Sequence, residues 1–578
     1  MKSLVKYIGK YKKEAVAAPF LKLAEALLEL CIPLFVANII DAGTGPSAKR
    51  VILLNCLYMA LFGLAGMLFS VFSQYLSSRA AVGFSTGLRA DVFRRVLELP
   101  VPDADSFGNS RILARLTSDI DRIQNGVNLG LRLLLRSPFI VFGSVIMASV
   151  RDPKSSVIFI AAVPVLAAVV FAVMLIGNPL QKKAGEKVEA LTVRTSDNIT
   201  GVRVIRAFSA EKRQNEAFSS ENEAASRAVI LAGRVTSLLN PLTFVIVNFA
   251  VILIIRSGAA GVDSGRISQG TVVALYNYMA QILTELVKLA SLIITLTRTS
   301  ASADRVREII ELSDSIRPEA KETAGSPSEA DRPYAVEFED VSFRYPGASG
   351  DALSSVSFRL PAGGSLGVIG GTGSGKSTLA LLVPGIYRQT SGRIRVFGEE
   401  YGPGNAVRIR KRIGFVPQKA KLFCGSVAEN VSWGGAADGG DIDAALRTAS
   451  AYGFVAAKPG GKDTAVERDG SNFSGGQRQR LTIARALSGN PDLLVLDDSF
   501  SALDYKTDLE VRRGIASAGG RPARIIITQR PSSVMDCDAI LVLDNGSCAG
   551  YGTHAELMET CPLYREIYAS QYGGDALL

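Results

Sequence analysis

The run Gly370-Gly371-Thr372-Gly373-Ser374-Gly375-Lys376-Ser377-Thr378 fits the pattern G-x-x-x-x-G-K-[ST], and its neighbours decide the fold around it. Before it, Ser365-Leu366-Gly367-Val368-Ile369 is a short apolar, β-branched run that reads as a buried strand. After it, Leu379-Ala380-Leu381-Leu382-Val383 reads as the first turns of a helix. Glycines are required because the backbone must wrap tightly and offer successive N–H groups to an anion at the helix N-terminus. Lys376 would reach terminal phosphates and the Ser377 hydroxyl would ligate Mg²⁺. A chance Gly-rich loop would not bring strand and helix in this order. The stretch predicts binding of a nucleoside triphosphate.

Working outward, 578 residues are too many for one core and suggest two or more domains. The hydrophobic share of 48% is concentrated before about residue 300, where apolar segments of membrane-spanning length recur. A formal charge of +10 raises the question of nucleic acid, but the basic residues flank apolar segments, as Lys2, Lys6, Lys10, Lys12 and Lys13 do. Positive-inside bias explains them, so no nucleic acid partner is expected. Six cysteines without a C-x-x-C pair and a single histidine, His554, support neither a zinc site nor a disulfide framework. The apolar run from about Val16 to Ile40 is too long for a signal peptide core and reads as a retained membrane helix.

Six spans are expected, at about 15–40, 51–78, 129–150, 155–178, 237–258 and 270–297. A short Gly-Thr-Gly-Pro loop joins the first two, and Arg151-Asp152-Pro153-Lys154 turns the third into the fourth. Between spans 2 and 3, and again between spans 4 and 5, lie about 50 polar, helix-patterned residues. These insertions carry much of the Arg and Lys, including Arg89, Arg94, Arg95, Lys182, Lys183, Arg203 and Arg206, so both are assigned to the cytoplasmic side. Neither has the apolar content of a separate domain, so the membrane helices must project beyond the bilayer. The expected fold is therefore a six-helix membrane α-helical domain over 1–312, a polar Pro/Ser-rich linker over 313–333, and an α/β P-loop domain over 334–578.

Downstream, Leu493-Leu494-Val495-Leu496 is a buried strand ending in Asp497-Asp498, which places carboxylates beside Mg²⁺. Between the two nucleotide motifs lies Asn472-Phe473-Ser474-Gly475-Gly476-Gln477. With that S-G-G-Q signature, the second half resembles the nucleotide-binding domain of an ATP-binding-cassette (ABC) transporter, and the six spans resemble the exporter-type membrane domain fused ahead of it. The resemblance covers nearly the whole chain. It implies that Tyr345 stacks on adenine, that Gln418 touches Mg²⁺ and senses the γ-phosphate, and that Ser377 and Asp497 hold Mg²⁺. It implies that Glu467, Arg468 and Gly470 lie in the segment that contacts coupling helices, and that Ser501-Ala502-Leu503-Asp504 crosses to the opposite subunit. The coupling helices would be Asp103–Gly108 and Thr200–Phe208, at the tips of the two insertions.

Two positions depart from the family pattern. An active member has a glutamate after the strand's last aspartate to polarise the attacking water; here stands Asp498, one methylene shorter. A displacement of about 1 Å can cost ~100-fold in rate. An active member also has a histidine where Ile527-Thr528-Gln529-Arg530 places Gln529, an amide with no positive charge to offer the phosphate. The signature Ser474-Gly475-Gly476-Gln477 is intact. Since each ATP site in this family takes its phosphate loop from one domain and its signature from the other, the resemblance is to the degenerate-site half of a heterodimeric exporter. The partner would be a second half-transporter retaining the glutamate and histidine.

Charges inside spans are the remaining handle on cargo. Lys22, Glu25 and Glu29 share one face of the first span, and Glu285 and Lys288 pair in the sixth. They mark either a substrate cavity for a small or amphipathic molecule, or local i,i+3 pairs. Three alternatives to a heterodimeric exporter in the cell's cytoplasmic (inner) membrane stay open. One is an exporter-fold importer of metal–chelate complexes, and another is a membrane protein that ATP binding gates without transport. The third, a homodimeric lipid or drug flippase, is opposed by Asp498 and Gln529.

Overall fold

The computed structural model describes residues 2–43, 48–316, 333–402, 404–435, 441–517, 521–572. The expected linker 313–333 and the Gly-Thr-Gly-Pro loop fall almost wholly outside the described residues. The chain divides into two compact units, Met1–Glu98 with Gly108–Asp314, and Leu99–Phe107 with Ser315–Leu578.

Among the described residues of the first unit, six helices are long and apolar enough to cross a membrane, spanning Lys6–Asp41, Ala48–Glu98, Asn109–Arg151, Pro153–Thr200, Glu211–Asp263 and Gln269–Leu312. The Ala48–Glu98 helix has 51 residues and so runs about 75 Å, far more than the ~30 Å of bilayer hydrocarbon. The polar insertions are thus continuations of the spanning helices. The third span is interrupted: a π-turn at Arg115–Asp119 and a break after Leu133 divide it before Arg136–Arg151. Asp152 starts the next helix by accepting from the N–H groups of Lys154 and Ser155, with Pro153 in the first turn, where its missing N–H does no harm. The same carboxylate takes Arg266 Nη1 at 2.9 Å, tying that turn to the segment between the last two spans.

Small residues let these helices approach closely. A Cβ on Gly270 would lie 2.1 Å from the Ala37 carbonyl oxygen, and one on Gly143 would lie 2.5 Å from Leu30. These contacts close the first span against the sixth and third. The Tyr278 hydroxyl, on a fully buried ring, donates to the Leu30 carbonyl at 2.9 Å.

In the second unit a six-stranded sheet has the order Ser547–Gly552, Ala539–Asp544, Ser365–Gly370, Ala523–Ile527, Leu493–Asp497, Ile413–Val416. All neighbours are parallel except the first pair. Alternation sorts the side chains to two cores: Leu493 and Val495 join one with Ile525 and Ile527, while Leu494 and Leu496 join the other with Ile526. A separate antiparallel sheet of Leu353–Pro361, Tyr334–Phe343 and Ser391–Val396 completes the unit. Three parallel strands therefore end side by side, at Gly370, Asp497 and Ile527. Ligands bind at such carboxyl ends in open α/β sheets.

Candidate functional site

Those strand ends frame a cavity of about 340 Å³ whose wall includes Tyr345, Thr372–Thr378, Gln418, Asp497, Asp498, Thr528 and Gln529. The loop's strained points are glycines, with φ +82° at Gly373 and +96° at Gly375. At Gly375 a Cβ would also meet the Ala352 carbonyl oxygen at 2.6 Å, so both conformation and space demand glycine. Gly370 is held equally tightly, 2.2 Å from the Leu543 carbonyl oxygen by the same measure. By contrast, a Cβ on Gly371 or Gly373 meets nothing, which leaves the loop's inner surface open to a ligand.

Lys376 starts the helix after the loop, and its ammonium donates to the carbonyls of Gly370, at 2.9 Å, and Gly371, and to Ser374 Oγ at 3.2 Å. Burial holds its pKa below the usual lysine value, against the opposing pull of Asp498 and Asp497. The Ser377 hydroxyl donates to Asp497 Oδ1 at 3.2 Å. Burial raises the Asp497 pKa; the Ser377 bond opposes this and the Asp498 charge adds to it. A cationic loop, a hydroxyl and a buried carboxylate with unmet charge fit a nucleotide phosphate with Mg²⁺: hard oxygen ligands suit that ion. When bound, Mg²⁺ would be held by Ser377, Asp497 and Gln418 and would neutralise phosphate charge.

Tyr345 belongs to an aromatic cluster, with ring centroids 4.8 Å from Phe343 and 5.4 Å from Tyr387, and its hydroxyl lies 3.1 Å from Thr378 Oγ1. Asp498 adopts φ +45°, a left-handed conformation that aspartate tolerates better than most residues, and its N–H donates to the Ile527 carbonyl at 2.9 Å. Gln529 is exposed at the cavity rim, and its carbonyl accepts from Gln571 Nε2 at 2.8 Å.

The signature is not on this wall. Ser474 caps the 13-residue helix Gly475–Leu487, accepting from the Gln477 N–H while the Gln477 side chain accepts from the Ser474 N–H. Ser474 and Gly475 are exposed, so a helix N-terminus is presented outward. Asp504 likewise caps Tyr505–Ser517: the Thr507 N–H donates to Oδ1 at 3.0 Å and its hydroxyl to Oδ2 at 2.8 Å. Those bonds hold its carboxyl below the usual range. The sole histidine lies elsewhere, its Nδ1 2.8 Å from the hydroxyl of buried Tyr564.

The two segments expected to act in coupling divide between the units. Leu99–Phe107 packs with the second, where the Tyr387 hydroxyl donates to Asp105 Oδ2 at 2.7 Å. Val202–Ala207 belongs to the first and buries none of its residues; Ile199, Val204 and Phe208 are 69%, 60% and 80% exposed.

In the membrane, Lys22–Glu25 and Glu285–Lys288 both form the local i,i+3 pairs, and the second pair also lies on a cavity wall. Lys22 pairs with Glu25 and donates to Ser70 Oγ at 2.9 Å, a bridge between the first two spans. Glu29, Glu285 and Lys288 line that cavity, of about 350 Å³. They are joined through Arg136, which donates to Glu29 Oε2 at 2.6 Å and to Glu285 Oε1 at 2.7 Å; Lys288 reaches the same Glu285 oxygen at 2.8 Å. Sequence reasoning missed Arg136, although an arginine inside the third span carries the same signal as the acids that were singled out. Asn277, Gln281 and Thr284, missed as well, line the cavity one and two turns before Glu285 and Lys288.

A fold of six long membrane helices, with a P-loop sheet whose signature helix starts outside its own phosphate site, defines a membrane-coupled ATPase of the cassette class. The comparisons agree. The ABC transporter transmembrane region matches residues 16–286, and the ABC transporter family matches 353–501. An uncharacterized ABC transporter ATP-binding protein of Mycobacterium tuberculosis is 32% identical over 98% of this chain and 97% of its own. An ATP-dependent lipid A-core flippase of Albidiferax ferrireducens is 27% identical, with 98% and 97% covered. The solved structure of a bacterial Atm1-family ABC exporter with ATP bound superposes with a TM-score of 0.81 at 25% identity, covering 97% of this chain and 98% of that one. The chain belongs to the ABC transporters: it is an exporter-type half-transporter, membrane domain fused to ATP-binding domain, and a transport ATPase.

Proposed function

We propose that this chain is one half of a heterodimeric ABC exporter in a cell's cytoplasmic or inner membrane, and that it supplies the slow ATP site. The observation that carries the proposal is the pairing of Asp498 and Gln529 at the phosphate cavity with an intact, outward-facing Ser474–Gln477 cap. At its own site Lys376, Ser377, Asp497 and the glycine loop bind Mg–ATP and retain it, because Asp498 is too short to polarise water well. Its signature closes over a second ATP held by a partner that keeps the glutamate and histidine, where turnover occurs. The exposed apolar tip Ile199–Phe208 would seat on that partner, since apolar surface of this kind gains about 25 cal/mol per Å² on burial.

ATP-driven closure would switch the membrane cavity between its two faces. We assign the Glu29–Glu285–Lys288 cavity as the cargo site, for a small or amphipathic molecule; the relative described as a lipid flippase favours an amphiphile. The test is ATP turnover of this chain alone, with its partner, and with the partner's catalytic glutamate changed to glutamine. Near silence alone, turnover as a pair and loss on that change are expected. Brisk hydrolysis by the chain alone would refute the assignment.

A further inference from the structure

From the unused hydrogen-bonding capacity of the membrane cavity, we infer that its cargo carries a primary ammonium and an anionic oxygen in one head group. This rests on the cavity being the cargo site. The wall leaves several hydrogen-bonding groups unmet. Glu285 is nearly filled: Oε1 takes Arg136 and Lys288, and Oε2 takes the Ser137 hydroxyl at 2.8 Å, while the side chain is only 3% exposed. Glu29 is not. Its Oε2 takes Arg136, while Oε1 has no bond among the described residues, and the side chain is 35% exposed.

Two further acceptors belong to residues on the same wall. Pro33, also on the wall, has no N–H, so the Glu29 carbonyl four residues earlier lacks its helical partner. Gln281 Oε1 is buried with no partner. Unmet acceptors in a low-dielectric wall select a ligand that brings N–H donors, and a carboxylate among them selects a charged one.

The opposite demand comes from Lys288. Its ammonium has three N–H donors, of which one is used by Glu285, and its side chain is 42% exposed. It asks for an anion or a carbonyl. The formal charges of Glu29, Glu285, Arg136 and Lys288 cancel, so a zwitterion enters without leaving net charge in the membrane, whereas a simple cation or anion does not. At about 350 Å³ the cavity suits a head group with part of a chain. An aminoalkyl phosphate lipid and an amino acid or short peptide share this chemistry.

The experiment is equilibrium binding to the protein co-purified with its partner, in nanodiscs and without nucleotide. Binding at rest does not depend on turnover, so a failure here is separable from a failure of the heterodimer assignment. Three probes share a twelve-carbon tail: dodecyl phosphoethanolamine, dodecylamine and dodecyl phosphate. The zwitterion is expected to bind at least ~10-fold tighter than either single-charge probe. Lys288→Gln, at a half-exposed position, should erase most of that preference by weakening the zwitterion, and should not weaken dodecylamine, since it leaves one carboxylate without a compensating charge. Glu29→Gln should weaken the zwitterion and dodecylamine together. Competition by dileucine identifies a peptide-type cargo and its absence a lipid-type one, either being within the proposal. Equal affinity of the wild type for all three tailed probes overturns it, as does a zwitterion preference that survives Lys288→Gln.

Discussion

Asp498 sits where length and conformation both matter. Its N–H is pinned to the Ile527 carbonyl and its φ is left-handed, so the backbone cannot slide forward to make up for a missing methylene. Asp498→Glu should therefore restore reach. In a pair whose partner has lost its own catalytic glutamate, that change should raise ATP turnover at least ~10-fold. An unchanged rate would place the defect elsewhere.

Asp497 gives a prediction of opposite kind. Its folded pKa is raised, so the carboxyl's contribution to stability is full below the unfolded pKa and is lost as pH rises through the folded one. At neutral pH the buried charge weakens the nucleotide-free protein. Asp497→Asn should raise the thermal midpoint at pH 7, by about 2–4 °C per kcal/mol relieved, with the gain shrinking as pH falls toward 4. It should also abolish the stabilisation by Mg–ATP, measured by thermal unfolding of the full chain. The phosphate loop was legible in the sequence because its residues are contiguous and each glycine answers a local demand. Arg136 was visible as a charge inside a span, but its pairing was not, because Glu29 and Glu285 lie 107 and 149 residues away.

At the scale of elements, helix length was legible from polar stretches that kept helical patterning. Which helices meet was not, because close approach rests on single glycines that look alike in sequence. Gly270 separates from the rest only through the Ala37 carbonyl against it. Gly270→Val should force the first and sixth spans apart, lowering the thermal midpoint in detergent, whereas Gly63→Val, at a position with open space, should not. The two tips proposed to act in coupling also differ in a way that sequence did not reveal. Phe107 is buried within the second unit, while Phe208 is exposed. Phe208→Ser should leave folding and ATP binding intact. It should lower cargo-stimulated ATP turnover of the assembled pair, by the loss of about 1.5–3 kcal/mol of apolar contact.

At the scale of the whole molecule, the proposed function has this chain act on two sites at once, because its signature is separate from its phosphate loop. Lys376 would serve the ATP held by this chain, while Ser474–Gln477 is not on that cavity's wall and is built intact, with both capping bonds in place. Under the heterodimer proposal, damage to the two motifs should have unequal consequences. Lys376→Ala should remove retained ATP from this chain's slow site and reduce, without abolishing, the pair's turnover. Ser474→Arg leaves the phosphate cavity untouched but buries a cation and its bulk against the partner's nucleotide, at the positive end of a helix. It should silence turnover by the pair, a loss of ~100-fold or more, while one equivalent of ATP still binds this chain. Radiolabelled ATP retention and phosphate release, measured on the same preparations, read the two effects separately. If Lys376→Ala and Ser474→Arg reduce turnover equally, the two sites are equivalent and the division of labour between the halves is wrong.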